Sequence, residues 1–268
     1  MVQASKSGVA PPIHYYSLEK NLSIMAYIDA QPLPFFSHGT GLDVSMLADV
    51  IATLHSGEAF PSSYSVFNML DYLNQAVSKS FSGDRYVERA LGAMPLLQSV
   101  LDVASDRRPS HRDCHGFNVV YDGRQYFLID WESAGNDSLY FDLAVASNML
   151  LFNIPQSDSL LLRAYFKAEP TQVQVAKFKL MRVFAYLYYG FVLLYLGSLH
   201  QEVRLTEREV MALKPFHQFI EQQIKDNQPN MAGRYLRIGY AAFLQGINML
   251  KTDGAQQAMD LLQVVGEP

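Results

Sequence analysis

The residues best suited to chemistry in this sequence are a histidine, an asparagine and two aspartates at a defined spacing. His111, Asp113 and Asn118 form the pattern H-x-D-x-x-x-x-N, and Asp130 follows in the run Ile-Asp-Trp-Glu. Phosphoryl transfer from a nucleotide needs a carboxylate that orients a hydroxyl, together with an amide and a second carboxylate that hold a metal ion. Each residue alone is more often part of a turn or loop. The joint pattern therefore carries the prediction of a kinase-type site.

A β-hairpin between the two halves of this pattern would bring its residues together. Residues 119–121 and 125–129 are rich in the β-branched and aromatic side chains typical of strands, and 122–124 (Asp-Gly-Arg) is a turn signal between them. Such a hairpin is expected to put Asn118, at its entrance, beside Asp130, at its exit. An amide oxygen and a carboxylate suit Mg²⁺, which takes its other ligands from water and phosphate.

These motifs resemble those of the aminoglycoside phosphotransferase and choline kinase superfamily, the small-molecule branch of the protein-kinase-like fold. The run IDWESAGNDSLYFDLA at 129–144 is similar to the choline, ethanolamine and thiamine kinase subgroup. The resemblance implies that Asp113 is the catalytic aspartate and that His111 packs under its loop and holds it. It also implies that Asn118 and Asp130 bind magnesium.

The same resemblance implies a structural role and a nucleotide site. Asp142 would brace the catalytic loop from the helix that follows. The stretch 21–29 is similar to the last strand of an N-terminal lobe running into a hinge, so the backbone of Met25, Ala26 and Tyr27 would bind the adenine of ATP. The cofactors expected from the family are ATP and Mg²⁺.

The sequence departs from the family before the hinge. Residues 1–20 contain Lys6, Lys20 and Gly8, but no glycine-rich loop and no room for three strands and a helix. We therefore expect a remnant of N-lobe strands and hinge over 1–30 and a helical C-lobe with the catalytic loop over 31–268. A mis-started or shortened reading frame, a non-catalytic relative, and an enzyme that binds phosphate by other means all remain open.

The remaining sequence predicts helices. Apolar residues at helical spacing, such as Leu47, Ile51 and Leu54, indicate a helix over 42–55. Pro95 predicts a break in a later helix or the start of a new one. The expected fold class is α+β: a protein-kinase-like fold with a mainly α-helical C-lobe, a catalytic β-hairpin and a truncated N-lobe.

Composition narrows the possible partners and the location. The net charge is −5 and charged residues make up 18%, so no basic field favours nucleic acid. Residues 183–199 lack charge, but Gly190 and scattered tyrosines favour a buried helix over a membrane span. The single cysteine, Cys114, suits a reducing compartment, and we expect a cytoplasmic protein without a membrane partner. The oligomeric state stays open.

The acceptor is expected to be a small-molecule hydroxyl compound with a cationic group: choline, ethanolamine, thiamine or an amino sugar. Trp131 offers a ring face for cation–π attraction, and Glu132 and Asp137 offer carboxylates. Aromatic residues of this kind also serve as core packing. The main alternative is a catalytically impaired, pseudokinase-type binding module without the N-lobe lysine. A two-metal hydrolase would need more ligands than the motif supplies.

Overall fold

The chain packs as two compact units in the structure, which is a computed structural model. It describes residues 1–31, 43–61, 64–199, 204–218 and 231–266. The first unit comprises Met1–Tyr64 and Val103–Thr171, and the second comprises Ser65–Asp102 and Gln172–Pro268. The predicted class, a mainly helical α+β protein, is confirmed. The predicted division after residue 30 does not coincide with these units and stays a prediction.

The first unit combines helices with short antiparallel strands. Its helices are α1 (Val2–Lys6), α2 (Val44–His55), α5 (Leu139–Met149) and α6 (Ser157–Phe166). Its strands are β1 (Ile13–Ser17), β2 (Leu22–Met25), β3 (Arg107–Ser110), β4 (Val119–Tyr121), β5 (Tyr126–Leu128) and β6 (Gly135–Ser138). The strands pair as β1 with β2, β3 with β6, and β4 with β5.

The predicted hairpin is present as the β4–β5 ribbon, in which Val119 pairs with Leu128. Its turn is closed by Asp122, whose Oδ1 accepts the backbone N–H groups of residues 124 and 125 at 2.8 and 2.9 Å. Gly123 has a φ of 93°, a conformation that glycine adopts without a steric penalty. Local sequence therefore fixes the turn and, through it, the register of the ribbon.

Segments on either side of the β1–β2 hairpin bind the two edges of the β4–β5 ribbon. The N–H of Leu128 donates to the carbonyl of Val9 at 2.7 Å, and the N–H of Gln31 donates to the carbonyl of Tyr121 at 2.7 Å. Edge groups of a short ribbon need such partners, because a two-stranded hairpin alone is only marginally stable.

The β3–β6 pair was not predicted from the sequence. Its strands read Arg-Arg-Pro-Ser and Gly-Asn-Asp-Ser, which have low strand propensity. Pro109 lies within β3, where an edge position tolerates the missing N–H. Tertiary packing rather than local preference therefore forms this pair.

The second unit is helical in the residues described. Its helices are α3 (Val66–Ser80), α4 (Arg85–Leu101), α7 (Gln172–Ser198), α8 (Glu207–Met211), α9 (Met231–Leu250) and α10 (Asp253–Gly266). The predicted break at Pro95 is wrong, because α4 continues through it. Met94 and Leu97 on either side are fully buried, and this packing outweighs the one hydrogen bond that proline removes.

Helix α7 contains most of the long uncharged segment noted in the sequence. By length and composition it could cross a membrane, but 61% of its most apolar window is buried inside the protein. It packs against α9 at points where Gly190, Gly239 and Gly246 bring the helices close. A side chain at position 190 would overlap the ring of Phe243. These are the contacts of a core helix.

Replacing Gly190 by alanine is expected to lower the free energy of unfolding by about 1–3 kcal/mol, because the rigid ring of Phe243 must move. The matched control is Gly92→Ala in α4, where no atom lies within 4 Å of the added methyl group. That change should be neutral or stabilise by up to about 1 kcal/mol through helix propensity. Urea unfolding of both variants measures the difference, and equal stabilities would contradict this account of the packing.

Candidate active site

The loop that carries the motif, residues 111–118, is tied at its first residues to one buried carboxylate. The N–H of His111 donates to Asp142 Oδ2 at 2.8 Å, and the N–H of Arg112 donates to Asp142 Oδ1 at 2.6 Å. Asp142 lies in the first turn of α5 and is fully buried. Arg112 has a φ of 68°, which is unfavourable for a non-glycine residue, so these bonds hold the loop in a strained conformation.

Hydrogen bonding keeps the Asp142 carboxylate charged despite its burial. Burial alone would raise its pKa, but the hydrogen bonds donated by the His55 ring and by the backbone of His111 outweigh burial and hold the pKa below its ordinary value. Burial lowers the pKa of His111, whose Nε2 donates to the carbonyl of Ile129 at 2.8 Å. The ring of His111 is therefore neutral and buried, and its hydrogen bond connects the loop to the end of β5.

Asp113 and Asn118 are in direct contact. The amide Nδ2 of Asn118 donates to Asp113 Oδ2 at 2.8 Å and to the Asp113 carbonyl at 3.0 Å. Both partners are acceptors, so the amide nitrogen must face Asp113 and the amide oxygen is directed away from it. Asp113 keeps a quarter of its side chain exposed, and His115 Nε2 lies 3.3 Å from the same Oδ2. The carboxylate is oriented by neighbours and still reachable from solvent.

Asp130 follows Ile129 at the open end of the ribbon. The N–H of Ile129 donates to the carbonyl of Asn118 at 2.9 Å, so the chain leaves β5 beside Asn118. Asp130 is exposed and has a φ of 61°, a conformation that aspartate tolerates better than most residues. Asn118 and Asp130 offer oxygen donors of the type that Mg²⁺ prefers. No group of three or more His, Cys, Asp or Glu suited to a metal occurs among the described residues, so an ion here would complete its shell with phosphate and water.

Trp131 and Glu132 follow Asp130 at the rim of the site. The Trp131 indole N–H donates to the carbonyl of Leu128 at 2.8 Å, and its ring packs edge-on against His111 at 4.6 Å. Phe60 approaches the same ring edge-on at 6.4 Å. Trp131 is half-buried and Glu132 is exposed. Both therefore retain surface that a bound molecule can contact.

The predicted contact between Asp137 and substrate is corrected by the structure. Asp137 is 1% exposed, and its Oδ2 lies 2.9 Å from Arg112 Nε. The Arg112 guanidinium also donates to the carbonyls of Asn136 at 3.2 Å and of Tyr64. Gly135 leaves room for it, because a Cβ at that position would overlap the guanidinium. Asp137 neutralises this partly exposed arginine and has no open face for a ligand.

The predicted adenine-binding segment continues directly from β2. Met25 pairs with Ile13 and is 40% exposed, and Tyr27 is 89% exposed. The N–H of Ala26 donates to the carbonyl of Pro12 at 2.8 Å, so this donor is occupied within the protein. Adenine contacts in this segment would have to use the other backbone groups.

Sequence reasoning missed several residues that hold the site. His55 binds Asp142 from α2, and Tyr165 in α6 binds His55. Arg112 fastens the segment after Asp130, and His115 adjoins Asp113. One signal could have revealed His55: it lies four residues after Ile51 on the apolar face of α2, and a polar residue at such a position needs a buried partner. Tyr165 carries no comparable signal.

Replacing Asp142 by asparagine is expected to lower the free energy of unfolding at pH 7 by about 2–4 kcal/mol, because a buried charged acceptor is lost. The native pKa of Asp142 is depressed, so its contribution is present above the ordinary aspartate pKa and is lost as pH falls through the native value. Stability of the wild type should therefore fall more steeply than that of the variant below about pH 4. Urea titrations from pH 7 to pH 3 test this.

The control for that titration is Asp71→Asn, which removes an exposed carboxylate on α3. Its stability profile should run parallel to that of the wild type. If Asp142→Asn also runs parallel to the wild type, the buried carboxylate does not have the electrostatic role described.

Comparison with known proteins places this site in a family. Residues 40–175, just over half of the chain, match the family model described as phosphotransferase enzyme family. A comparison with curated proteins gives no significant match.

Solved structures share the fold at low identity. A choline/ethanolamine kinase family protein from Mesorhizobium loti is 19% identical with a TM-score of 0.72, over 98% of this chain and 80% of that one. The choline kinase LicA from Streptococcus pneumoniae is 15% identical with a TM-score of 0.60, over 90% and 77%. A complex of LicA with AMP gives 16% identity and a TM-score of 0.54, over 90% and 76%.

These likenesses establish a kinase-like fold, and the family match covers the motif loop, the β4–β5 ribbon and Asp142 together. The chain belongs to the phosphotransferase enzyme family.

Proposed function

We propose that this protein transfers the γ-phosphoryl group of ATP to the hydroxyl of a small cationic alcohol. The observation that carries the proposal is the contact between Asp113 and Asn118 at 2.8 Å, in a loop anchored to Asp142 and beside the exit of the β4–β5 ribbon at Asp130. An oriented carboxylate next to two oxygen donors is the arrangement that phosphoryl transfer uses. The kinase-like fold and the AMP complex of LicA add support for a nucleotide as donor.

In the proposed reaction, Asp113 accepts a hydrogen bond from the acceptor hydroxyl and orients its oxygen toward the γ-phosphorus. A bond forms between these two atoms as the bond from the γ-phosphorus to the bridging oxygen of ADP breaks. The hydroxyl proton passes to the Asp113 carboxylate. His115 and Asn118 help to fix the orientation of that carboxylate through its Oδ2.

Asn118 and Asp130 would hold Mg²⁺, which neutralises charge on the phosphates when bound. The amide oxygen of Asn118 is directed away from Asp113, as a metal ligand there requires. Met25, Ala26 and Tyr27 remain the proposed adenine segment, with the N–H of Ala26 left in its bond to Pro12.

For the acceptor we propose recognition of its cationic group by the exposed part of Trp131 and by Glu132. A cation near an aromatic face and a carboxylate gains from both attractions. Asp137 is excluded from this role by its pairing with Arg112.

Turnover should depend on Asp113. Asp113→Ala is expected to lower kcat by about 10²–10⁴-fold, the usual contribution of a positioned base, while Mg-ATP binding measured by calorimetry changes little. Choline, ethanolamine, thiamine and an amino sugar are tested as acceptors in an assay of ADP release. The uncharged carbon analogue of choline, 3,3-dimethylbutan-1-ol, tests the need for a cation.

A variant as active as the wild type would refute the role of Asp113. Wild-type protein that binds Mg-ATP but phosphorylates none of the acceptors would favour the binding-module alternative. Wild-type protein that does not bind millimolar Mg-ATP would overturn the proposed nucleotide site as a whole.

The magnesium site has its own test. Asp130→Ala should weaken ATP binding about tenfold or more when Mg²⁺ is present, because a charged ligand is lost, and should change binding little in EDTA. The control is Asp122→Asn, which removes a carboxylate from the turn of the same ribbon but keeps the oxygen that closes it. Isothermal titrations with and without Mg²⁺ measure both variants. Equal effects of the two substitutions would remove Asp130 from the proposed site.

A further inference from the structure

A buried chain of hydrogen bonds extends from the catalytic loop into two helices that carry none of the motif residues. His55 Nε2 lies 3.1 Å from Asp142 Oδ2, and His55 Nδ1 lies 2.8 Å from the hydroxyl of Tyr165. His55 is the last residue of α2 and is 4% exposed, and Tyr165 is in α6. His55 thus connects Tyr165 of α6 to the carboxylate of Asp142 in α5.

The chemistry of the partners fixes the direction of these bonds. The Asp142 carboxylate can only accept, so His55 Nε2 must carry a proton and donate to it. In the neutral imidazole, Nδ1 is then an acceptor, and the Tyr165 hydroxyl donates to it. Burial raises the pKa of Tyr165, which keeps that hydroxyl protonated at neutral pH. Tyr165 therefore selects the tautomer of His55 that binds Asp142.

The geometry of the loop depends on where Asp142 points its oxygens. Oδ1 accepts the N–H of Arg112, and Oδ2 accepts the N–H of His111 together with the His55 proton. Arg112 has a φ of 68°, in the left-handed region that disfavours non-glycine residues. The loop would therefore adopt another conformation if these hydrogen bonds were lost. Asp113 is the next residue, and its position follows directly from that of Arg112.

We propose that His55 and Tyr165 are positioning residues of the phosphotransfer site. They hold the Asp142 carboxylate in the orientation that binds the backbone of His111 and Arg112, and thereby place Asp113. The effect on the loop can be measured without turnover. The effect on catalysis rests on the proposed function.

The structural arm of the test uses hydrogen exchange, measured by NMR, at the backbone amides of residues 111 and 112. His55→Leu, which removes the donor, is expected to speed this exchange about ten- to hundredfold, the worth of one hydrogen bond to a charged group. His55→Gln, which keeps an N–H donor at a similar distance from the backbone, should restore most of the protection. The control is Ile51→Ala, one turn earlier in α2, where a fully buried side chain with no hydrogen-bonding group is truncated.

Ile51→Ala is expected to destabilise the protein without a selective rise of exchange at 111 and 112. If His55→Leu speeds exchange at these amides no more than Ile51→Ala does, relative to the rest of the first unit, the proposal is overturned. This comparison holds whether or not the protein phosphorylates any of the tested acceptors.

Tyr165 is tested by a double-mutant cycle. Tyr165→Phe removes only the hydroxyl and should raise exchange at 111 and 112 about threefold, because His55 keeps its bond to Asp142. In the double variant with His55→Leu, no further rise is expected, because Tyr165 acts through His55. Additive effects of the two substitutions on exchange would contradict the proposal that Tyr165 acts through His55. Tyr240→Phe in the second unit, which also removes a buried hydroxyl bonded to an aspartate, should leave both amides unchanged.

The kinetic arm uses the same variants with an acceptor that the wild type phosphorylates. His55→Leu should lower kcat about ten- to hundredfold while KM for ATP and acceptor stay within about threefold, with partial rescue in His55→Gln. Faster exchange combined with an unchanged kcat would overturn the catalytic part of the proposal. Absence of turnover in the wild type would instead count against the proposed function, and the exchange result would stand by itself.

Discussion

The structure of the site depends on one buried carboxylate. Asp142 accepts hydrogen bonds from two backbone N–H groups of the motif loop and from the ring N–H of His55. Hydrogen bonds to a charged acceptor are each worth about 1.5–3 kcal/mol, enough to hold Arg112 at a positive φ. A charge can persist there because its donors replace the water that burial removes. Without this acceptor, the backbone N–H groups of His111 and Arg112 would lose the hydrogen bonds that hold Arg112 at its positive φ.

The position of the β4–β5 ribbon depends on that loop. One end of the loop continues into β4 at Val119, and the carbonyl of Asn118 binds the N–H of Ile129 across the ribbon. The ribbon therefore brings Asp130 back to the loop. Arg112 then fastens the chain beyond Asp130, through its bonds to Asp137 and to neighbouring carbonyls. Loop, ribbon and the segment after it form one connected support for the candidate site.

Much of this site could be predicted from the sequence because its parts are local. The spacing of Asp113 and Asn118 and the turn at Gly123 depend on neighbouring residues, and both are present in the structure. Predictions that ignored distant partners failed. Asp137 was assigned to substrate because nothing in the sequence shows that Arg112 reaches it, and Pro95 was expected to break a helix that packing keeps intact.

The sequence by itself determined the motif, the β4–β5 ribbon and the mainly helical class. These features depend on the types of residues that lie close together in the chain. Tertiary structure alone decided which polar groups meet inside the protein. His55, Tyr165 and Asp142 are far apart in the chain, and the β3–β6 pair joins segments of low strand propensity. Burial makes each of these groups require a partner, and only the packed fold can specify which partner it finds.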